Sequence, residues 1–139
     1  MKHTLLTLAA LLISVAMFSQ NTPLRPVLYK DSQITISQQQ KRCIDEAEGI
    51  DHEYMLISIT NHSASAVEIG FDVELKYNNQ RETSPSAENR ATQIIPAGAS
   101  VSGDCGRGKL RYFHSDHNKW ISSTLEDLTV SNLSSNPQN

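Results

Sequence analysis

The chain has 139 residues, of which 12 are basic and 15 are acidic, and its formal net charge at neutral pH is −3. An acidic chain without a basic cluster is poorly suited to nucleic acid, so we expect no nucleic-acid partner. The basic residues come closest together at Arg107, Lys109 and Arg111, whose spacing of two places them on one face of a strand. We interpret them as a solvated face, and an anion-binding stripe is the alternative.

The first predicted element is a secretory leader over residues 1–19. Lys2 gives it a basic start, and Leu5–Ile13 is an apolar run of the length that a signal h-region has. This run is shorter than the roughly 20 residues that a bilayer-spanning helix needs. We predict cleavage after Ala16 or, with a slight preference, after Ser19. The product is expected to be secreted or periplasmic, without an integral membrane segment.

Removal of this leader leaves 120 residues, a size that supports a single hydrophobic core. We predict one β-sandwich domain over residues 20–133. Residues 134–139 are polar, and we expect them to form a flexible C-terminal tail.

The clearest strand signal is Val67–Tyr77, where apolar side chains alternate with Glu, Gly, Asp and Lys. A period of two over eleven residues places one face against a core and the other in water, which is typical of an antiparallel strand. The apolar, β-branched segment Glu53–Asn61 precedes it, and the turn-rich link Asn61–Ala66 connects them. We therefore predict that these two strands form a hairpin.

The other segments with strand character are short and are separated by turn residues. In chain order they are Val27–Lys30, Gln33–Ser37, Thr92–Ile95, Ser100–Asp104, Lys109–His114 and Glu126–Asn132. About seven strands joined by short turns indicate an antiparallel two-sheet sandwich. We predict an all-β fold of the immunoglobulin-like form, which is the commonest version of such a sandwich.

Two segments do not follow this pattern. Ser37–Gly49 contains helix formers between a capping serine and a terminating glycine, so a short helix is one interpretation. We prefer a strand that reaches Cys43 and is followed by an acidic loop, because the apolar positions form only a thin helical stripe. Asn78–Arg90 is polar and lacks periodicity, which predicts a long surface loop.

The only two cysteines, Cys43 and Cys105, lie 62 residues apart in the sequence. In a small exported domain, two cysteines are most simply explained by a disulfide, which we predict to join two strands. Two free thiols and a redox pair are the alternatives, although the Cys-x-x-Cys pattern is missing.

Motifs for catalysis and for metal binding are incomplete. The segment His114–His117 has two imidazoles and a carboxylate, but positions i and i+3 of a strand point to opposite faces, so both rings can meet only in a turn. The acidic residues of Asp45–Asp51 lack the spacing of a calcium loop, and no Gly-x-Ser-x-Gly elbow marks a nucleophile. We predict no catalytic site, no metal and no cofactor, and hence a protein that is not an enzyme.

Trp120 is the only tryptophan, and it follows the polar segment Ser115–Lys119. It either closes the core, as a lone tryptophan often does, or forms an exposed platform on which a sugar or a peptide stacks. In the second interpretation, Tyr112 and Trp120 belong to one binding surface.

Several short motifs follow one another along the chain. They are Phe18-Ser19-Gln20, Cys43-Ile44-Asp45, Gly49-Ile50-Asp51, Ile59-Thr60-Asn61, the strand Phe71–Tyr77, Ile95-Pro96-Ala97-Gly98, Gly103-Asp104-Cys105 and a last strand ending at Leu133. This order resembles small exported β-sandwich proteins of uncharacterised function from Bacteroidota-type bacteria. The resemblance implies a periplasmic or extracellular sandwich with a Cys43–Cys105 disulfide, and it brings no active site with it.

Two functions fit these patterns. We favour a non-enzymatic binding or accessory module for an unknown partner, because sandwiches present loops and edge strands to partners and because catalytic motifs are missing. Its contact surface would be the Asn78–Arg90 loop or the Ser115–Trp120 turn. The alternative is a carbohydrate- or peptide-binding domain, including an inhibitory one, that uses Tyr112 and Trp120.

Overall fold

A computed structural model describes residues 26–78, 90–106 and 108–138 of the chain. Within these residues the fold consists of strands and connections alone. The strands are β1 (Val27–Lys30), β2 (Ile34–Asp45), β3 (Ile50–Asn61), β4 (Val67–Tyr77), β5 (Arg90–Ile95), β6 (Ser100–Ser102), β7 (Arg111–Asp116) and β8 (Leu125–Pro137). The described part holds no helix with the length and apolar character needed to cross a membrane. The predicted leader and most of the predicted Asn78–Arg90 loop lie outside the described residues.

The eight strands form two antiparallel sheets. In sheet A the order is β1-β2-β3-β6, and β7 pairs with the part of β3 that β6 leaves open. In sheet B the order is β5-β4-β8. The predicted all-β fold of two antiparallel sheets is therefore confirmed, whereas its immunoglobulin-like form stays a prediction.

The core lies between the inner faces of the two sheets and follows from the period-two pattern. On β4 every second residue from Val67 to Val73 is buried, as the alternation predicts. The largest of the fully buried side chains are Phe71, Ile34, Ile36, Ile57, Ile59, Ile69, Ile95, Val67, Val73 and Asn61. Phe71 is the largest of them, and strands of both sheets contribute to this one cluster.

The predicted hairpin of β3 and β4 is wrong, because these strands belong to different sheets. Both edges of β3 are occupied, one by β2 and the other by β6 and β7, so β4 crosses to the facing sheet. The buried Asn61 stabilises this crossing. Its amide nitrogen donates to the carbonyl oxygens of Ser65, Ile95 and Pro96 at 2.8, 3.1 and 3.1 Å. Its side-chain oxygen accepts a hydrogen bond from the backbone N–H of Ser63 at 2.9 Å.

The predicted tail over residues 134–139 is also wrong for its first part. Strand β8 continues to Pro137, which lies opposite Val67 at the start of β4. Ser134 contributes a side-chain contact as well, since its Oγ lies 2.9 Å from Nη2 of Arg90. Backbone pairing with β4 orders this polar segment, and such pairing leaves no hydrophobic alternation in the sequence.

The predicted disulfide is confirmed, with an S–S distance of 2.04 Å between Cys43 and Cys105. Cys43 lies on β2, as expected from the strand interpretation of Ser37–Gly49, and the alternative helix is not formed. Cys105, however, lies in the connection between β6 and β7, so the bond does not join two strands. The disulfide ties β2 to the β6–β7 connection, although β3 lies between β2 and the strands β6 and β7 in the sheet.

Candidate binding surface at the end of the β2–β3 hairpin

Trp120 lies on the surface, in the turn that follows β7. Its side chain is 75% exposed, and that of the next residue, Ile121, is 45% exposed. Of the two interpretations of the lone tryptophan, the structure therefore favours the exposed platform over core closure. An exposed indole next to an exposed isoleucine is unusual on a water-facing turn and is typical of contact residues.

The carboxylate of Asp116 holds this turn in one conformation. Its Oδ1 accepts a hydrogen bond from the backbone N–H of Asn118 at 2.8 Å, and its Oδ2 accepts from those of Trp120 and Ile121 at 2.7 and 2.9 Å. Lys119 has a φ of 61°, a left-handed conformation that is costly for a residue with a side chain. The turn thus keeps a strained residue because three hydrogen bonds to one buried carboxylate fix its backbone.

The ionisation of Asp116 follows from the same contacts. Burial by itself would raise the pKa of its carboxyl group, but the backbone donors of Ile121, Asn118 and Trp120 outweigh burial and hold that pKa below its usual range. The imidazole Nε2 of His52 lies 3.5 Å from Oδ1 on the remaining side. Asp116 is therefore an anion at neutral pH, and the turn depends on that charge.

The turn also rests directly on the hairpin formed by β2 and β3. The backbone N–H of His117 donates to the carbonyl oxygen of Asp51 at 2.8 Å, and the side-chain amide of Asn118 donates to that of Gly49 at 2.8 Å. A Cβ atom built on Gly49 would lie 3.7 Å from the indole Cη2 of Trp120. These contacts fix the position of Trp120 relative to the end of the hairpin.

A polar cluster around Glu53 lies beside the turn. Glu53 accepts hydrogen bonds from Gln40 Nε2 at 2.5 Å and from Ser115 Oγ at 3.2 Å. His117 Nε2 lies 3.1 Å from Oε1, and His114 Nδ1 lies 3.5 Å from Oε2. Burial would raise the pKa of Glu53, but the donors Gln40, His117 and Ser115 outweigh it, so the pKa lies below its usual range.

The two histidines meet at this carboxylate because β7 ends between them. His114 lies on the strand, whereas His117 lies in the turn, which is the arrangement that convergence of the two rings requires. Sequence reasoning missed Glu53, which is 61 residues before His114. The sequence predicts that Glu53 lies on a strand, but only the pairing of β3 with β7 brings Glu53 to the histidines.

His114, Ser115 and Glu53 are a histidine, a serine and a carboxylate in contact, but they are not arranged as a catalytic relay. Such a relay uses one ring nitrogen for the hydroxyl group and the other for the acid. Here Nδ1 of His114 faces both Ser115 Oγ, at 2.9 Å, and Glu53. Among the residues that the structure describes, no group of three His, Cys, Asp or Glu side chains is placed to hold a metal ion.

Tyr112 is not close to Trp120. It lies opposite Met55 on the face of β7 that packs against the core, and its hydroxyl donates to the carbonyl oxygen of Lys109 at 2.9 Å. Burial raises the pKa of Tyr112 to about 12. Met55 is six residues from Gly49, which amounts to about 20 Å of extended chain. Trp120 is thus exposed, whereas Tyr112 packs against the core, and the structure does not bring the two side chains together.

A groove beside the disulfide adds apolar area at this end of sheet A. It has a volume of about 630 Å³, and its lining includes Cys43, Cys105, Ile44, Ile50 and Tyr54. Ile44 is 61% exposed. Ile50 directly follows Gly49, and a Cβ on Gly49 would lie 3.7 Å from the Trp120 indole, so the groove and the tryptophan both lie at the β2–β3 turn.

Comparison with known proteins finds no matching family model, no similar curated protein and no similar solved structure. The resemblance to exported proteins of Bacteroidota-type bacteria therefore stays a prediction.

Proposed function

We propose that this protein is an exported, non-enzymatic binding module that contacts a protein or peptide partner through Trp120. The observation that carries this proposal is the exposed indole on a turn whose backbone is fixed by the buried Asp116 carboxylate. The disulfide fits an oxidising compartment and so supports the exported location.

The energetics of association favour such an arrangement. Tryptophan is one of the residues most often found at the energetic centre of an interface, because it buries a large area with few rotatable bonds. A contact residue on a rigid turn also loses little conformational entropy when a partner binds. Ile121 and Ile44 supply further exposed apolar area at the same end of the domain.

A carbohydrate ligand is the second candidate function. The same exposed indole of Trp120 offers a flat face on which a sugar ring stacks, and this observation is independent of any protein partner. Tyr112 would not take part, because it packs against the core. The two candidates differ in whether isolated glycans bind.

Partner capture with matched variants tests the proposal. The mature protein, its Trp120→Ala variant and its Ile94→Ala variant are immobilised, and each is exposed to the native exported fraction. Ile94 is a suitable control because it is an equally apolar residue, 60% exposed, on β5 of the other sheet. We expect a partner that is retained by wild type and Ile94→Ala. Its affinity for Trp120→Ala should fall by about 2 kcal/mol or more, which is about thirtyfold.

Tryptophan emission separates the two candidates. Trp120 is the only tryptophan of the chain, so its emission reports on this surface alone. We expect the emission maximum of Trp120 to shift to the blue with the captured protein or its peptides. It should not change with a panel of glycans. Equal affinity of Trp120→Ala and wild type for the partner would contradict the proposal, and a glycan-induced shift would favour the second candidate.

A further inference from the structure

The outer edge of β2 is only partly covered by its neighbour in sheet A. Strand β1 has four residues, and its register with β2 ends at Ser37. One more bond follows, from the backbone N–H of Gln38 to the carbonyl oxygen of Pro26 at 3.0 Å. Beyond it, β2 continues through residues 39–45, and no described residue pairs with their outer side. We call this segment the open edge of β2.

The register of β2 determines which backbone groups the open edge presents. Because β2 pairs with β3 over its whole length without a bulge, the N–H and C=O groups of alternate residues face β3 and those of the others face away. The N–H of Gln38 faces away, as its bond to the segment before β1 shows. At the other end, Asp51 lies opposite Ile44, and its carbonyl oxygen accepts a hydrogen bond from His117 on the far side of β3. Both observations assign the outward N–H and C=O groups of the open edge to Gln40, Arg42 and Ile44.

An extended backbone is the ligand that matches these outward groups. They repeat at a spacing of two residues, so a strand placed beside them meets each N–H with a carbonyl oxygen and each C=O with an N–H. Strand β1 already binds the first part of the same edge in this way. An added strand would continue the line of β1, and addition of a peptide to a free sheet edge is a common mode of recognition.

The charge of the open edge selects among such strands. Lys41 and Arg42 lie next to each other, both are exposed, and Lys41 forms no ion pair with a described residue. Arg42 pairs with Asp51 of β3, and its side chain stays 51% exposed. Two copies of the chain that pair about Lys41 or Arg42 would place like charges opposite each other, which is unfavourable. The positive edge therefore favours an acidic segment of a different protein over a second copy.

Ile44 adds an apolar position to this edge. Its side chain is 61% exposed. Ile44 and Lys41 are three positions apart on a regular strand, so their side chains lie on opposite faces of the sheet. A strand that runs antiparallel to β2 would place an apolar residue opposite Ile44 and, three residues later, an acidic residue opposite Lys41. This spacing defines the segment that fits.

We propose that the open edge of β2 binds an extended, acidic segment of a partner protein as an added antiparallel strand. An apolar side chain of this segment lies beside Ile44, and a carboxylate three residues later lies beside Lys41. The inference goes beyond the proposed function, because it assigns the conformation and the charge of the bound segment. It is carried by backbone groups of β2 and does not depend on Trp120, so either proposal can fail without the other.

Titration with a synthetic peptide, followed by NMR, tests the inference on the mature, oxidised protein. The probe is acetyl-Thr-Ile-Thr-Thr-Glu-Thr-Thr-amide, whose isoleucine and glutamate have the required spacing. We expect it to shift the backbone amide signals of Gln40, Arg42 and Ile44. Hydrogen exchange of these amides should slow by at least about tenfold at saturation, because the added strand removes them from water.

N-methylated probes test whether backbone bonds carry the binding. In the antiparallel pairing, the N–H groups of the fourth and sixth peptide residues face β2, and those of the third and fifth face away. Methylation of the fourth and sixth should weaken binding at least about tenfold, because two hydrogen bonds are lost. Methylation of the third and fifth is the matched control and should leave the affinity within about twofold.

Charge variants test the position of the acidic residue. Lys41→Glu should bind the probe at least about fivefold more weakly, since an attraction becomes a repulsion. Lys76→Glu makes the same change at an exposed position on β4 of sheet B and should bind the probe as wild type does. A probe with lysine in place of its glutamate should prefer Lys41→Glu to wild type.

Several results would overturn the inference. No shift at millimolar probe, or equal weakening by both methylation patterns, would show that the edge does not bind the probe as a strand. Slow exchange of the Gln40, Arg42 and Ile44 amides in the free, dilute protein would mean that the edge is already occupied. Slowing that grows with protein concentration would assign the edge to a second copy. Loss of probe binding in Trp120→Ala would move the probe to the Trp120 surface.

Discussion

Removal of the Cys43–Cys105 disulfide should lower the free energy of unfolding by about 4 kcal/mol. The bond closes a loop of 62 residues. In the chain-entropy model, a loop of this length restricts the unfolded chain by about 14 cal/mol/K, which is about 4 kcal/mol at 25 °C. The net stability of a small domain is about 5–15 kcal/mol, so this loss would be a large fraction of the total.

The folded state should survive this change because the connection that carries Cys105 has other contacts. The backbone N–H of Gly103 donates to the carbonyl oxygen of Ile57 at 2.9 Å, and the N–H of Ile57 donates to that of Leu110 at 2.9 Å. These bonds hold both ends of the connection against β3. The disulfide therefore acts mainly on the unfolded chain, which is the assumption on which the magnitude depends.

Urea denaturation followed by circular dichroism measures the effect, using wild type and the double variant Cys43→Ala, Cys105→Ala. Trp120 emission is a poor probe here, since the indole is exposed before unfolding. The dependence of the free energy on urea should steepen in the variant, because its unfolded chain is less compact. Wild type with reductant should match the variant. A folded variant that loses less than about 1 kcal/mol would refute the entropic reasoning.

Two further predictions follow from individual contacts. Gly103→Ala should destabilise the domain by about 2 kcal/mol or more, because its Cβ would lie about 2.2 Å from the carbonyl oxygen of Leu110. Gly108→Ala is the control, because a Cβ at that position meets nothing within 4 Å. Thermal melts of the two variants measure the difference. Because the pKa values of Asp116 and Glu53 are lowered on folding, their stabilisation should be complete above about pH 5 and disappear as the pH falls through the lowered values. Urea midpoints between pH 6 and 2 test this, and Asp116→Asn should flatten the profile.

Strands with one buried and one wet face could be predicted from the sequence. The bounds of β4 agree with the predicted Val67–Tyr77, because alternation is complete over the whole strand. The end of β8 could not be predicted in the same way. Its last residues, from Ser134 to Pro137, show no alternation of apolar and polar side chains and are ordered by backbone pairing with β4. Backbone hydrogen bonds between strands do not depend on side-chain type, so the hydrophobic pattern of the sequence does not reveal them.

The hydrophobic pattern of the sequence also could not assign the strands to the two sheets. A period of two tells which face of a strand is buried, but both sheets of a sandwich bury their inner faces alike. A link of five or six residues, such as that between β3 and β4, permits either a hairpin or a crossing. Here both edges of β3 are occupied, and the buried amide of Asn61 stabilises the crossing by donating to carbonyl oxygens of β5 and of the link itself.

The Trp120 turn shows why part of the candidate site was visible in the sequence and part was not. Trp120 stands out because it is the only tryptophan, but the backbone of its turn is held by Asp116. The partners of Asp116 are backbone N–H groups, which the side-chain sequence does not mark. Core packing would not require a buried carboxylate and a left-handed lysine to hold an indole in water. Because both features lower stability unless they are compensated, their occurrence at the one exposed tryptophan favours display of that side chain to a partner.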